Sequence, residues 1–208
     1  MSLVHLVRHG EVYNPDRILY GRLPGFHLSE AGEAQAEKTA AFLSGRDIVY
    51  LVSSPLERAV QTATPLAAGY GLPIERDERL IEAGNRFEGQ RVAGGTNRIA
   101  APANWPLLVN PLRPSWGEPY GEIADRVRAA VLAASAAADG HEAVCVTHQL
   151  PVVALRRSVL GQHLWHDPRH RQCALASVTA FLVDGDQVRF FGYAEPAGAT
   201  PTGYVGGA

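Results

Sequence analysis

Short apolar segments rich in β-branched residues alternate along this chain with longer helical segments, and that alternation restricts the folds open to it. Strands are predicted over residues 3–7, 48–52, 72–77 and 142–148. Helices are predicted over residues 27–45, 55–71, 119–138 and 151–161. Ser29 is the predicted N-cap of the first helix, and Pro55 opens the second. Because parallel neighbours need a crossover connection, the pattern predicts an α/β fold, a three-layer α/β/α sandwich around a mostly parallel sheet.

The end of the chain departs from this alternation. Two β-rich runs joined at Asp184–Asp186 predict a hairpin within residues 174–195, which would add an antiparallel edge to the sheet. We predict a single domain over residues 1–195, since 208 residues suit one domain and no second boundary is visible. Residues 83–118 lack clear periodicity and are predicted to form an irregular insertion or lid. Residues 196–208 are predicted to be a flexible tail.

Charge and composition exclude several classes of protein. A formal net charge of −2 argues against a general nucleic-acid binder or a basic membrane-surface protein. Cys145 and Cys173 are too few for a disulfide framework and form no CxxC pair. The N-terminus lacks the apolar region of a signal peptide, and no run reaches the ~18 apolar residues that would span a bilayer. We therefore expect a cytoplasmic protein without nucleic-acid or membrane partners, and an oligomer stays open because the hairpin edge could pair with another subunit.

Polar side chains follow three of the predicted strands at their carboxyl ends. They are Arg8 and His9, then Ser53, Ser54 and Arg58, then Thr147 and His148. Since sites in open parallel sheets form outside the carboxyl ends of the strands, two arginines and two histidines would meet in one cationic pocket. The planar arginine fork suits phosphate, and helices beginning near Pro55 and Pro151 would direct backbone N–H groups to the same place. The sequence therefore predicts a phosphate site.

A histidine in such a pocket can do more than bind. Neutral imidazole is a nucleophile that can accept a phosphoryl group, while arginines stabilise the charge on the transferring oxygens. The leaving oxygen then needs a proton, which a carboxylic acid can supply. Glu82, just after the third predicted strand, is the preferred candidate for this acid, and Glu11 and Glu88 are alternatives.

At the level of motifs the chain resembles the histidine phosphatase superfamily, also called the phosphoglycerate mutase-like family. The matching stretches, in the family's order, are LVRHGEV, GRLPGFHLSEAGEAQA, SSPLERAVQTA, LIEAGNRFEG, GEPYGEIADRV and VTHQ. They cover most of residues 3–155. RHG alone is a weak signal, but its combination with SPLERAVQTA and the later strand followed by histidine is specific.

The resemblance implies a role for each matching residue. His9 corresponds to the histidine that accepts the phosphoryl group, and Arg8 and Arg58 correspond to the two arginines that bind it. His148 corresponds to the second histidine of the phosphate pocket, and Glu82 to the acidic proton donor. The resemblance also implies that no metal and no cofactor are needed.

The chain departs from the family pattern at two places. Pro15 stands where the family usually has an asparagine, so we predict that Asn14, one place earlier, reaches the phosphate. Gln149 replaces the usual small residue after the second histidine and would narrow or polarise the pocket. Gly21 and Arg22 lie in the loop where the family contacts phosphate or substrate, and Arg22 is predicted to be a secondary anion contact.

Other polar residues have simpler interpretations. Ser53 and Ser54 are expected to cap a helix and not to act as nucleophiles. The segment His163–Cys173 contains three histidines and a cysteine, but its spacing fits no standard zinc pattern, so we interpret it as a charged loop. His166 or Arg169 could reach a substrate from this loop, although nothing in the sequence requires it.

The sequence thus predicts a phosphomonoester phosphatase that works through a phosphohistidine at His9 on a small phosphorylated substrate. The first alternative is a 2,3-bisphosphoglycerate-dependent phosphoglycerate mutase, in which the phosphoryl group returns to a bound sugar acid; such mutases tend to be longer. The second alternative is a non-catalytic phospholigand-binding regulatory protein, which the complete set of reactive residues disfavours. The sequence does not identify the substrate.

Overall fold

The computed structural model describes residues 1–91, 117–167 and 170–199. These residues contain a six-stranded mixed sheet. Its strands are β1 (Ser2–Arg8), β2 (Ile48–Ser53), β3 (Glu75–Arg76), β4 (Glu142–Thr147), β5 (Val178–Asp184) and β6 (Gln187–Ala194). The α-helices are α1 (Glu30–Leu43), α2 (Glu57–Tyr70), α3 (Tyr120–Ala138) and α4 (Gln149–Val159).

Both faces of the sheet are covered, as the continuous apolar runs of its central strands require. Successive residues of β4 alternate between two hydrophobic clusters. Ala143 and Cys145 pack in the cluster that contains residues of α3 and α4. Val144 and Val146 pack in the other cluster, with residues of α1 and α2. This arrangement confirms the predicted three-layer α/β/α sandwich.

The strand order is β3-β2-β4-β1-β5-β6. The first four strands in this order pair in parallel, whereas β5 pairs antiparallel with both β1 and β6. The hairpin of β5 and β6 therefore adds an antiparallel edge to a mostly parallel sheet, as predicted. Arg8 lies opposite Thr147 in the pairing of β1 with β4, and Ser53 lies opposite Val146 in the pairing of β2 with β4. The carboxyl ends of these strands are therefore level.

Several element boundaries differ from the sequence predictions by a few residues. The third strand is two residues long, not six, because it pairs only with the end of β2 at the sheet edge. Helix α2 begins at Glu57, two residues after Pro55. Helix α4 begins at Gln149, two residues before Pro151, which the first turn accommodates because N–H groups there have no partner within the helix. Ser29 caps α1 as predicted, its Oγ accepting from Gly32 N at 3.1 Å.

Most of the predicted insertion and tail lies outside the residues that the structure describes. Residues 92–116 of the insertion and residues 200–208 of the tail lie outside the described residues. The described part of the insertion is irregular, with isolated bridges that join Ile18 to Arg91 and Asn85 to Gly117. Within the described ranges no helix has the length and apolar character needed to cross a membrane.

Candidate active site

The level strand ends bring together a group of buried side chains that we call the strand-end pocket: Arg8, His9, Arg58 and His148. Each is at most 2% exposed. Backbone hydrogen bonds continue the sheet past its strands, since His9 N donates to Thr147 O at 3.0 Å. The ring centroids of His9 and His148 are 5.2 Å apart. The structure thus places the two histidines and two arginines where the sequence predicted that they would meet.

The orientation and tautomer of His9 follow from its contact with Gly10. His9 Nδ1 lies 2.7 Å from Gly10 O, and a carbonyl can only accept, so Nδ1 carries the proton and Nε2 keeps a lone pair. Gly10 is itself fixed, because its N–H donates to Thr62 Oγ1 and a Cβ there would come within 2.5 Å of Gly32 O. Burial, with the charges of Arg58 and Arg8, holds the pKa of His9 well below its usual range. The imidazole is therefore neutral and nucleophilic at neutral pH.

The two arginines of the pocket are held by backbone carbonyls. Arg8 Nη1 donates to Cys173 O at 2.5 Å, and Arg58 Nη2 donates to Gly21 O at 2.6 Å. The Arg58 guanidinium also lies 4.7 Å from the centroid of the Tyr20 ring. Gly21 thus contributes a carbonyl that orients Arg58; any direct contact of Gly21 with substrate stays a prediction.

His148 forms the N-cap of α4 at the second strand end. Its Nε2 lies 2.8 Å from Ser54 Oγ, which also accepts from Leu56 N at 3.4 Å. Ser54 therefore orients His148. The prediction that Ser53 and Ser54 cap a helix is wrong, because the N-cap of α2 is Leu56, which has no side-chain capping bond, and Ser53 Oγ donates to Ser54 O. Burial, with the charges of Arg58 and other cations, holds the pKa of His148 well below its usual range. A bound phosphate would oppose this effect, because an anion favours the protonated imidazole.

Glu82 is buried beside the pocket, with 1% exposure. Burial raises the pKa of its carboxyl, while the charges of Arg58, Arg171 and Arg8 partly oppose that rise. Its Oε1 accepts from Ala83 N at 2.9 Å. A carboxyl in these surroundings holds a proton at a higher pH than an exposed one and can donate it.

The two alternative acids have other contacts. Glu11 accepts from Ser29 Oγ at 2.8 Å, beside the start of α1. Glu88 Oε1 accepts from Asn85 N at 3.2 Å within its own loop. By contrast, the Glu82 carboxyl interacts electrostatically with Arg58 and Arg8 of the pocket, so Glu82 stays the preferred candidate.

Two further predicted residues, Asn14 and Arg22, contact the protein itself. Both atoms of the Asn14 amide bond to the backbone of Ile18, at 2.9 Å each. Arg22 Nε donates to Glu82 O at 2.7 Å, and its Nη2 donates to Glu118 Oε2 at 2.8 Å, beside a cavity of about 360 Å³. Their contacts with phosphate or substrate stay predictions, and the structure shows instead that Arg22 braces the backbone of the candidate acid.

Gln149, the first residue of α4, bonds to Arg171, which the sequence did not predict to be a site residue. Its Oε1 accepts from Arg171 Nη1 at 3.3 Å, and its Nε2 lies 3.5 Å from Cys173 O. Arg171 Nε donates to His166 Nε2 at 2.9 Å. Arg171 lies in the loop interpreted as charged, and no local motif marks it. We call the residues around the pocket entrance, Arg22, Glu82, Glu118, Gln149 and Arg171, the mouth.

The structure also bears on the histidines and the cysteine of this loop as possible metal ligands. Across the part of the chain that the structure describes, no group of three or more His, Cys, Asp or Glu side chains could hold a metal ion. His166 contacts Arg171, and its ring is tilted by 42° against that of Tyr120, with centroids 5.7 Å apart. Arg169 lies outside the described residues.

The fold and the pocket define a class of protein, and comparison with known proteins identifies it. The model of the histidine phosphatase superfamily (branch 1) matches residues 4–195, so the chain belongs to that superfamily. An uncharacterised protein of Mycobacterium tuberculosis is 55% identical over 194 residues, which cover 93% of this chain and 96% of the relative. A probable phosphoglycerate mutase of Escherichia coli is 31% identical over 186 residues, covering 86% and 85% of the two chains.

Solved structures agree with this assignment. A mycobacterial glucosyl-3-phosphoglycerate phosphatase superposes with a TM-score of 0.73 and 27% sequence identity, and the match covers 91% of this chain and 95% of the other. The predicted family and fold class are thereby confirmed. The superfamily includes both phosphatases and mutases among these relatives.

Proposed function

We propose that the chain is a phosphomonoester phosphatase that forms a phosphohistidine on Nε2 of His9. The observation that supports this most directly is the contact of His9 Nδ1 with Gly10 O, which leaves a lone pair on Nε2 inside the pocket. Arg8 and Arg58 supply the positive charge that a transferring phosphoryl group needs. The protein's own side chains thus supply the positive charge that the proposed reaction requires.

In the first step, the Nε2 lone pair forms a bond to phosphorus as the bond from phosphorus to the ester oxygen breaks. The departing oxygen takes its electron pair and receives the proton of the Glu82 carboxyl. The imidazole becomes positively charged, and the hydrogen bond from Nδ1 to Gly10 O stabilises it. His148 and the arginines hold the equatorial oxygens.

In the second step, a water molecule attacks the phosphohistidine. The Glu82 carboxylate left by the first step takes a proton from this water, so the acid becomes the base. The bond from phosphorus to nitrogen breaks, its electron pair returns to Nε2, and inorganic phosphate leaves. Glu82 is then protonated again, and the cycle closes.

The test is phosphate release from a panel of phosphomonoesters in the presence of EDTA. The panel includes 3-phosphoglycerate, glucosyl-3-phosphoglycerate, phosphoserine and glycerol 3-phosphate. His9→Ala should lower turnover by about 10⁴-fold or more, because no nucleophile remains. His141→Ala is the matched control, since that histidine is exposed and pairs with Asp47 away from the pocket. Activity that persists in His9→Ala would overturn the assignment of the nucleophile.

A mutase is the second candidate, and the Escherichia coli relative favours it. The same assay distinguishes the two when 3-phosphoglycerate is supplied with and without 2,3-bisphosphoglycerate and the product is analysed for 2-phosphoglycerate. Isomerisation with little phosphate release would make the protein a mutase. Binding of phosphoesters without either reaction would instead support the regulatory alternative.

A further inference from the structure

Arg171 is a third arginine of the site, contributed by the loop that precedes β5. Among the described residues its guanidinium bonds two neutral acceptors, His166 Nε2 at 2.9 Å and Gln149 Oε1 at 3.3 Å. Its charge also acts on the Glu82 carboxyl and on Arg8. Burial lowers the pKa of the Arg171 guanidinium, which still stays charged at neutral pH.

Arg171 has no ion-pair partner among the described residues. The Glu82 carboxyl acts on its charge, but no aspartate or glutamate oxygen forms an ion pair with it, although Arg22, Arg46, Arg79, Arg91 and Arg126 all have such a partner. The remaining residues, 92–116, 168–169 and 200–208, contain no aspartate or glutamate. Partly buried positive charge without an ion-pair partner is costly, which suggests that an anionic ligand supplies one.

The guanidinium is also held in one orientation. His166 Nδ1 contacts Leu164 O at 2.7 Å, which fixes its tautomer and leaves Nε2 to accept from Arg171. On the other side, Gln149 accepts from Arg171 with Oε1 and directs its amide nitrogen to Cys173 O, the carbonyl that also accepts from Arg8. Arg171 is thus connected through Gln149 and one carbonyl to an arginine of the strand-end pocket.

We propose that Arg171 binds a second anionic group on the part of the substrate that leaves, and so selects phosphomonoesters that carry one. This inference rests on the proposed function and adds a specificity residue to it. Arg171 is connected through Gln149 and Cys173 O to Arg8 of the pocket, and its charge acts on Glu82, the proposed acid that protonates the leaving group. Gln149 and His166 are positioning residues for this guanidinium. The second group is a carboxylate or a second phosphate, since both suit the arginine fork.

The first experiment measures binding and does not depend on turnover. Calorimetry with the His9→Ala protein compares 3-phosphoglycerate with glycerol 3-phosphate, in which a hydroxymethyl group replaces the carboxylate. A second pair compares the bisphosphate and the monophosphate of 1,3-propanediol, and so separates a carboxylate site from a phosphate site. In at least one pair, we expect the compound with the second anionic group to bind more tightly than the compound that has only the phosphate. Arg171→Gln should weaken binding of the compound with two anionic groups by about 10- to 100-fold and binding of the other by less than about 3-fold.

Control variants separate specificity from damage to the loop. Arg157→Gln removes a contact to His163 O in the same loop and should leave the preference intact. Arg171→Lys keeps the charge and should restore part of the preference. The inference would be overturned if Arg171→Gln weakened binding of both compounds of each pair equally, or weakened neither. Measuring kcat/KM for the same compounds with His9 intact tests the proposed function separately. Arg171→Gln should lower kcat/KM mainly for esters with a second anionic group, whereas loss of turnover on every ester would count against a specificity role.

Discussion

The strand-end pocket and the mouth differ in what holds their side chains in place. Arg8, His9 and His148 are attached to β1 and β4 or follow them directly, and the register of the sheet sets their positions. The mouth side chains come largely from loops and depend on one another, as Arg22 depends on Glu82 O and Glu118. Sheet register therefore sets the backbone positions of three of the four pocket residues, with Arg58 supplied by α2, whereas the mouth depends on hydrogen bonds between side chains and loops.

This difference separates chemistry from substrate choice. In the proposed reaction the pocket carries the groups that every phosphomonoester would need, and burial lowers the pKa of both its histidines. The mouth carries charged groups that would contact the part of the substrate beyond the phosphate. Changes in the pocket should therefore reduce the rate for every substrate, and changes in the mouth should alter rates unevenly, with Glu82 as the exception because it is both in the mouth and reactive.

Glu82→Gln gives the largest expected effect among the changes that test this comparison. The amide cannot protonate the leaving oxygen or activate water, so kcat should fall by about 100- to 10,000-fold for esters with poor leaving groups. Esters with a good leaving group, such as p-nitrophenyl phosphate, should lose less in the first step. Steady-state kinetics on both kinds of ester checks this prediction. Wild-type activity of Glu82→Gln on both kinds would remove Glu82 from the mechanism.

The same variant should change how stability depends on pH. Burial raises the pKa of Glu82 in the folded protein, so the folded state binds this proton more tightly than the unfolded chain does. The stability contributed by this group is complete below the ordinary carboxyl pKa of 4.5 and is lost as pH rises through the raised value. Glu82→Gln removes that loss, so the Tm of the variant relative to the wild type should increase as pH rises from 4.5 through the raised pKa of Glu82. Thermal melts across this range, with Glu30→Gln on the exposed start of α1 as control, check the sign.

Arg58→Lys tests the pocket through geometry with the charge retained. Lysine cannot donate to Gly21 O and bind two phosphate oxygens at once, so kcat/KM should fall by about 100-fold for every ester in the panel. The free energy of unfolding should also fall by about 1–3 kcal/mol, because a buried hydrogen bond is lost. Arg128→Lys on α3 is the control for the substitution itself. A loss confined to some esters would place Arg58 functionally in the mouth.

Arg22→Gln should have the smallest effect. Its contact with Glu82 O would weaken, and its ion pair with Glu118 is partly exposed and contributes little. We expect kcat/KM to change by about 2- to 10-fold, with the size varying among esters, since Glu82 would be less well positioned. Arg91→Gln, in an exposed pair with Asp16, is the matched control. A uniform loss as large as that of Arg58→Lys would show that Arg22 acts on the phosphoryl group itself.

The sequence was informative wherever local pattern and strand direction decide the outcome. Alternation of strands and helices predicted the layers, and the parallel arrangement predicted that His9 and His148 would meet at one edge. The Ser29 cap followed from its position before a helical segment. The predictions were less accurate for β3, because an edge strand is bounded by its pairing with β2 and not by its own residues.

The sequence by itself determined the fold class and the residues of the strand-end pocket, because strand ends deliver those side chains directly. Only the tertiary structure decided what surrounds them. Arg8 bonds to Cys173 O, a residue 165 positions away, because β5 pairs antiparallel with β1 and brings the preceding loop to the pocket. Arg171 enters the mouth on that same loop. Contacts between distant loops depend on how the whole sheet packs, so no local pattern could have marked Arg171 as part of the site.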